Sequence, residues 1–337
     1  MKRSVLMLLW MAAAPVALAQ FPVSTDSIYI FIRSNSIHRN KVNWPLIDLA
    51  FQNQLEDAAS LKDTMRSFVS VLAALHDVHS QVYLNNEYYG HYPPFDDSTL
   101  ARLKPLNDKA SSLTNQIFTT MLPGSIAYIR VPSTQVYDKQ QINAYAKSLF
   151  DSVDQYSTKR IKGFIIDLRL NGGGNVYPML TGLSALLGDN TIAYETDIAD
   201  NVTRKWEIRQ SNFMIGGYQA TQLKVKPGKG YSIIPVALLT GPVTKSSGSM
   251  TAIAFKQRPN SIFIGEPTAD GYTTSNGYFQ FAPNLVMNFA THFVADRKMN
   301  IYKTTVDPDI RIHRGDNFEN LLQDEKIQAA LRWFKQY

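Results

Sequence analysis

The chain has 337 residues, 45% of them apolar, and a formal net charge of +6 that falls to +4 once Lys2 and Arg3 are set aside. It contains no cysteine, which excludes disulfide frameworks, thiolate metal sites and a Cys nucleophile together. No Lys/Arg block stands out, so nucleic acid is not an expected partner, and the apolar content can supply the cores of two domains.

The first residues read as an export signal. Lys2 and Arg3 form a positive n-region and Val5 to Ala14 an apolar h-region. Pro15 breaks the run, and Ala17-Leu18-Ala19 supplies the small residues of a cleavage site. The run is too short to cross a bilayer's hydrocarbon core, and Gln20 rather than Cys argues against a lipid anchor. Residues 1–19 are therefore expected to be a signal peptide. The mature chain would begin at Gln20 and act in the periplasm or outside the cell, without a stable membrane anchor.

Residues 26 to 76 read as helical. Trp44, Leu46, Ile47, Leu49, Ala50 and Phe51 make an apolar cluster broad enough for a buried helix. Met65, Phe68, Val69, Val71, Leu72 and Leu75 follow at helical spacing, with Ser60 as N-cap and Asp63 as a loose capping-box acid. Val82 and Leu84 alternate as in a short strand. Residues 86 to 123, rich in Tyr, Pro, Asp and Asn, read as irregular, with a linker near Pro123-Gly124. A small helical domain over 20–120 and a larger one over 121–337 are expected.

From Ser125 the pattern alternates β and α. Strands are expected over Ile126 to Val131, Phe164 to Leu168, Ile234 to Leu239 and Ile262 to Ile264, and helices over Lys139 to Tyr156 and Tyr177 to Leu187. Short apolar strands alternating with helices predict a layered α/β domain with a buried sheet. Residues 277 to 295 read as a hairpin turning at Pro283-Asn284, and Phe318 to Trp333 as an amphipathic closing helix.

Three stretches could carry chemistry. Asp167-Leu168-Arg169-Leu170-Asn171-Gly172-Gly173-Gly174-Asn175 follows an apolar strand, and its glycines leave backbone N–H groups unobstructed, as an oxyanion hole requires. The bland alternatives are a glycine-rich turn or a phosphate loop, although no nucleotide-binding pattern is present. Thr240 to Ser249 lies between a strand and an apolar helix beginning near Met250. A serine at that helix start gains from the dipole and from the following unpaired N–H, and it could equally be a plain N-cap. His76-Asp77-Val78-His79-Ser80 offers a base for a hydroxyl nucleophile. Two histidines three apart also suit a metal, but no Glu sits between them as in His-Glu-x-x-His.

Taken together, these stretches resemble the tail-specific (C-terminal-processing) serine peptidases, in the tricorn-like and retinoid-binding-protein-like branch. Asp167 through Gly174 resembles the family's Asp-x-Arg-x-Asn-x-Gly-Gly signature, and Thr244 to Phe255 its nucleophile loop. Gly265-Glu266-Pro267-Thr268-Ala269 and Val306-Asp307-Pro308-Asp309-Ile310 resemble two further landmarks, all in the family's order over residues 60 to 312.

The resemblance implies a crotonase/Clp-protease-like spiral ββα core behind the helical domain. The stretch from His79 to Ile126 is too short for the family's PDZ module. The implied nucleophile is Ser246, with Ser247 the alternative, and the implied oxyanion donors are the N–H groups of Gly173 and Ser247. Ser249 stands where the family motif has an acid. The Ser/Lys branch has its lysine where this chain has Gly271, whereas the tricorn-like branch has a histidine that matches His79, the implied base. The branch's orienting Glu has no counterpart among Tyr302, Thr304 and Thr305, which leaves Glu266 as the candidate.

The implied activity is hydrolysis of a peptide or protein substrate by acyl transfer, with neither metal nor cofactor. The competing reading is an inactive family member that binds a peptide or hydrophobic ligand between its two domains. Crotonase-like chemistry on a CoA thioester is disfavoured by export.

Overall fold

The computed structural model describes residues 25–225 and 230–337; the signal-peptide reading of residues 1–19 lies outside them. Helices α1 (Thr25–Asn35), α2 (Trp44–Glu56) and α3 (Leu61–Ala74) come first, followed by strands β1 (Gln81–Leu84) and β2 (Glu87–Gly90). Next come α4 (Asp97–Ser112), β3 (Phe118–Leu122), β4 (Ile126–Arg130), α5 (Lys139–Asp154), β5 (Gly163–Asp167), α6 (Val176–Gly182) and α7 (Ser184–Leu187). An antiparallel meander covers β6 (Thr191–Thr196), β7 (Val202–Arg209), β8 (Asn212–Ile215) and β9 (Tyr218–Gln219). After it come β10 (Val236–Thr240), α8 (Ser247–Phe255), β11 (Ser261–Gly265) and the hairpin β12 (Thr274–Ala282) and β13 (Leu285–Ala295). Short strands β14 (Ile301–Tyr302) and β15 (Ile310–Arg311) and helix α9 (Glu325–Trp333) end the chain.

These elements form two compact units. One holds the described residues up to Pro94 with Asp197–Asn201 and Thr274–Phe293, and the other holds Phe95–Thr196, Val202–Thr273 and Val294–Tyr337. The break expected between residues 120 and 121 therefore falls after Pro94, and the first unit is not purely helical. The reason is its core. Ile28, Phe51, Phe68 and Leu72 from the helices bury against Leu285, Met287 and Phe289 of the returning hairpin. Its strands run in the order β2-β1-β13-β12, all antiparallel.

Within that unit α3 behaves as its sequence predicts. Ser60 accepts from the Asp63 N–H at 3.2 Å and its hydroxyl donates to the Asp63 carboxylate at 2.6 Å, an N-cap reinforced by the acid three residues on. The broad apolar cluster of α2 is a correction: Ile47 and Phe51 are buried, but Leu46 and Leu49 are 64% and 61% exposed.

The second unit is built on a six-stranded sheet, β15-β11-β10-β5-β4-β3, parallel except for the β3 edge. Every residue of β4, β5 and β10 is buried, as unbroken apolar strands require when both faces are covered. Ile126, Tyr128, Ile165, Leu239 and Ile264 share a core with Ile327, Ala330 and Phe334 at the C-terminal helix. The expected linker at Pro123-Gly124 is instead the turn of the β3–β4 hairpin, where Gly124 and Ser125 both have positive φ, 78° and 62°.

The stretch read as irregular over 86 to 123 holds β2, α4 and β3. Helix α4 carries Pro105 and buries only Ala110, so its periodicity is weak, but the Asp96 carboxylate caps it by accepting from the Thr99 N–H at 2.9 Å.

Candidate active site

The site is built where two neighbouring parallel strands end. β5 and β10 pair through Asp167 and Leu239, and the loop that leaves each strand carries one of the sequence signals. Clefts outside the carboxyl ends of parallel strands are the usual place for ligands in such sheets.

The two loops are tied together by hydrogen bonds. The Lys245 N–H donates to the Asn171 carbonyl at 3.0 Å, and the Thr244 hydroxyl to the Leu168 carbonyl at 2.8 Å. The Ser247 hydroxyl donates to the Gly174 carbonyl at 2.8 Å. The Asn171 amide donates to the carbonyls of Val131 and Pro132 at 3.0 and 3.1 Å, pinning the glycine loop to the end of β4.

Ser246 has φ 54° and ψ −123° just before α8. A β-substituted residue there is strained by a few kcal/mol and is held only when its surroundings over-determine it. A sharp strand-to-helix turn of this kind lifts a nucleophilic serine out of a sheet. Ser246 is half-buried, whereas Ser247 is buried and helical. Gly173 packs directly on Ser246: a Cβ at that glycine would lie 2.7 Å from the Ser246 Cβ.

As the first residue of α8, Ser247 turns its N–H out of the helix, where no carbonyl lies in helical register to accept it. The Gly173 N–H is not unobstructed, contrary to the expectation from the glycine run. It donates to the Asn171 side-chain oxygen at 3.0 Å. Ser249, at the family's acidic position, bonds from its hydroxyl to the Thr244 carbonyl at 3.4 Å and closes the turn itself. The Lys245 amine sits 5.5 Å from the Tyr272 ring centre, and burial pushes its pKa down.

Glu266 requires a correction. Its carboxylate pairs with Arg102, with His313 at 2.9 Å and with Lys326 at 3.5 Å. Burial alone would raise its pKa, but Arg102 and Lys326 hold it below the usual range. Those cations claim the carboxylate for an ion-pair network. The network continues through Lys326 to Asp316, and through Arg169 to Asp316, Asp324 and Asp167 at 2.6 to 2.7 Å. The Asp and Arg of the glycine-loop signature are therefore structural, since they fix the loop to the C-terminal segment.

His79 lies in the first unit, where α3 ends in a Schellman motif. The Asp77 N–H donates to the Leu72 carbonyl at 2.9 Å and the His76 N–H to the Ala73 carbonyl at 3.0 Å, with His76 at φ 53°. The Asp77 carboxylate then accepts from the N–H groups of His79 and Ser80 at 3.0 and 2.9 Å, which sets the course of the segment. His79 is 5% exposed, and its Nδ1 lies 2.7 Å from the Thr274 hydroxyl. Thr274 donates to the Asn276 side-chain oxygen at 3.0 Å, and the Asn276 amide donates back to the His79 carbonyl at 3.0 Å. The sequence reading missed both residues, because Thr273-Thr274-Ser275 carries no local sign of which hydroxyl meets a histidine. Among the described residues no three His, Asp or Glu side chains gather as a metal site needs.

Comparison with known proteins bears on the family and the fold. A nisin-resistance protein of Lactococcus lactis subsp. lactis is 30% identical over 215 residues, covering 64% of this chain and 61% of that protein. The chain thus spans about three fifths of the length of the curated relative it matches. The structure of a lipoprotein from Streptococcus agalactiae superposes with a TM-score of 0.69 at 24% identity, over 94% of this chain and 98% of that one. The photosystem II D1 C-terminal processing protease does so with a TM-score of 0.51 at 12% identity, over 86% and 92%. These neighbours show the fold, a mixed α/β architecture consistent with the Clp-like core that the resemblance implies. The model of peptidase family S41 matches residues 125–312, more than half of the chain and the whole stretch from the β3–β4 turn through both loops to β15, and the chain belongs to that family.

Proposed function

We propose that the protein is an exported serine peptidase in which Ser246 is the nucleophile and His79 the general base. The observation that carries most weight is the backbone of Ser246, strained at the start of α8 with Gly173 against its side chain. In the proposed reaction His79 Nε2 takes the Ser246 proton as the oxygen attacks a peptide carbonyl carbon. The N–H of Ser247 receives the resulting oxyanion, joined by the N–H of Gly173 once it leaves the Asn171 side chain. Removing one such donor elsewhere costs about 3 kcal/mol of transition-state stabilisation. His79 then gives its proton to the leaving amine, and water releases the acyl group by the same steps. The reading requires His79 Nε2 to reach Ser246 Oγ in the substrate complex.

A fluorophosphonate probe on the purified mature protein, followed by peptide mapping, tests the proposal. Labelling at Ser246 supports it. Substrate trials would include nisin, because a relative is named for resistance to it. A second reading, an inactive family member that binds peptides, is favoured by Ser249 at the acidic position and by a hydroxyl rather than a carboxylate at His79 Nδ1. Failure of every serine to label in folded protein would select it. Export rests on residues 1–19 alone, and N-terminal sequencing of the secreted or periplasmic product checks it; a chain still starting at Met1 refutes it.

A further inference from the structure

We infer that Thr274 and Asn276 are positioning residues that hold His79 in the tautomer a general base needs, taking over the task that a carboxylate performs in a Ser-His-acid triad. The inference rests on the reading of His79 as the base. The polar atoms themselves dictate the assignment. The His79 carbonyl can only accept, so the Asn276 atom 3.0 Å from it is the amide nitrogen. The other Asn276 terminus is then its oxygen, which can only accept. The hydroxyl of Thr274, 3.0 Å away, has a single hydrogen and gives it to that oxygen. What Thr274 presents to His79 Nδ1 at 2.7 Å is therefore a lone pair, and Nδ1 must carry the ring proton. Nε2 is left unprotonated, with the lone pair that accepts from a serine hydroxyl.

The backbone makes this pairing rigid. Thr274 and Asn276 are two apart on β12, so their side chains share one face of the strand. The register shift between Ser275 and Asn276 places its extra residue, Thr291, on β13, so β12 keeps its own alternation at this point. Thr274 is 1% exposed, so water does not compete for its hydroxyl. The Asn276 amide also grips the backbone of the residue whose ring it orients, which closes a loop from His79 Nδ1 back to the His79 carbonyl.

A neutral hydroxyl fixes the tautomer but brings no charge to balance an imidazolium. Thr274→Val keeps the shape of the side chain and removes the acceptor. It should lower kcat on a peptide substrate by between about 10²- and 10⁴-fold, the upper figure being the cost of the wrong tautomer in a triad enzyme. KM and the unfolding temperature should change little. Thr274→Ser restores the acceptor and should recover activity to within several-fold. Nitrogen NMR of protein labelled in its imidazoles gives a readout that does not depend on turnover. With the His79 signal assigned from its loss in His79→Gln, the wild type and Thr274→Ser should show a protonated Nδ1, and Thr274→Val should move toward a protonated Nε2.

The inference is overturned if Thr274→Val keeps the wild-type tautomer. It is also overturned if that variant turns over substrate like the wild type while His79→Gln is inactive. If His79→Gln is itself fully active, the base assignment has failed and takes the role of Thr274 with it, a result distinct from a silent Thr274→Val in an enzyme that needs His79.

Discussion

Gly174 has φ 114°, and a Cβ added there would stand 1.8 Å from the Thr134 carbonyl oxygen. Both the backbone region and the space exclude a side chain. Gly174→Ala should therefore cost several kcal/mol, or force the loop away from β4 and lose activity with it. A chemical melt beside an activity assay separates the two results, and a variant with wild-type stability and turnover would contradict the geometry. The glycine run was legible as a backbone device, but which donor it frees was not. Asn171 bonds to the Gly173 N–H from two residues earlier in the chain, and the three-glycine pattern hides that contact. Glu266 misled for a similar reason, since Arg102 and Lys326, which claim it, lie 164 and 60 residues away.

At the scale of elements, two aspartates that cap helices should behave differently. Asp138 caps α5 by accepting from the Gln141 N–H at 2.9 Å in an exposed position. Asp138→Ala should cost about 1 kcal/mol. Asp324 caps α9 through the N–H groups of Lys326 and Ile327 and also holds the buried Arg169 guanidinium at 2.6 Å. Asp324→Ala should cost about 2–4 kcal/mol, because it removes the cap together with one of the three carboxylates that hold the buried Arg169 guanidinium, leaving Asp167 and Asp316. Equal losses in urea melts would show that the ion network contributes nothing beyond the cap. The parallel strands and α5 were legible because their apolar runs are long and unambiguous. Helix α4 was not, because Pro105 and a mostly polar face conceal its period. Replacing Pro105 by Ala should stabilise that helix by about 1 kcal/mol or more, by restoring a backbone donor and removing a ring clash; a lower unfolding midpoint would contradict this.

Across the whole molecule, the buried network sets how stability responds to acid. Burial alone would raise the pKa of Asp167, but the Arg169 guanidinium and the Tyr128 hydroxyl hold it below its ordinary value, as Arg102 and Lys326 do for Glu266. A depressed folded pKa stabilises the protein fully above the ordinary carboxylate range, near pH 4, and that stability is lost as the pH falls through the folded values. Denaturant midpoints should thus hold from neutral pH to about pH 5 and fall steeply below about pH 4. Asp167→Asn should be weaker at neutral pH and should lose less on acidification, and a wild type whose stability is flat to pH 3 would contradict the account. The division into units was the least legible feature of the sequence. The hairpin of β12 and β13 follows the Ser246 loop in the chain, yet it completes the core of the N-terminal helices, and only tertiary packing reveals that.

We propose that Ser246, rather than Ser247, attacks the substrate. Turnover of a peptide substrate by Ser246→Ala and Ser247→Ala, with thermal unfolding as the control, tests it most directly. Ser246→Ala should lose several powers of ten and keep only what oxyanion binding supplies. Ser247→Ala loses the bond to the Gly174 carbonyl but keeps its backbone N–H, and should cost far less. A dead Ser247→Ala beside an active Ser246→Ala would contradict the account.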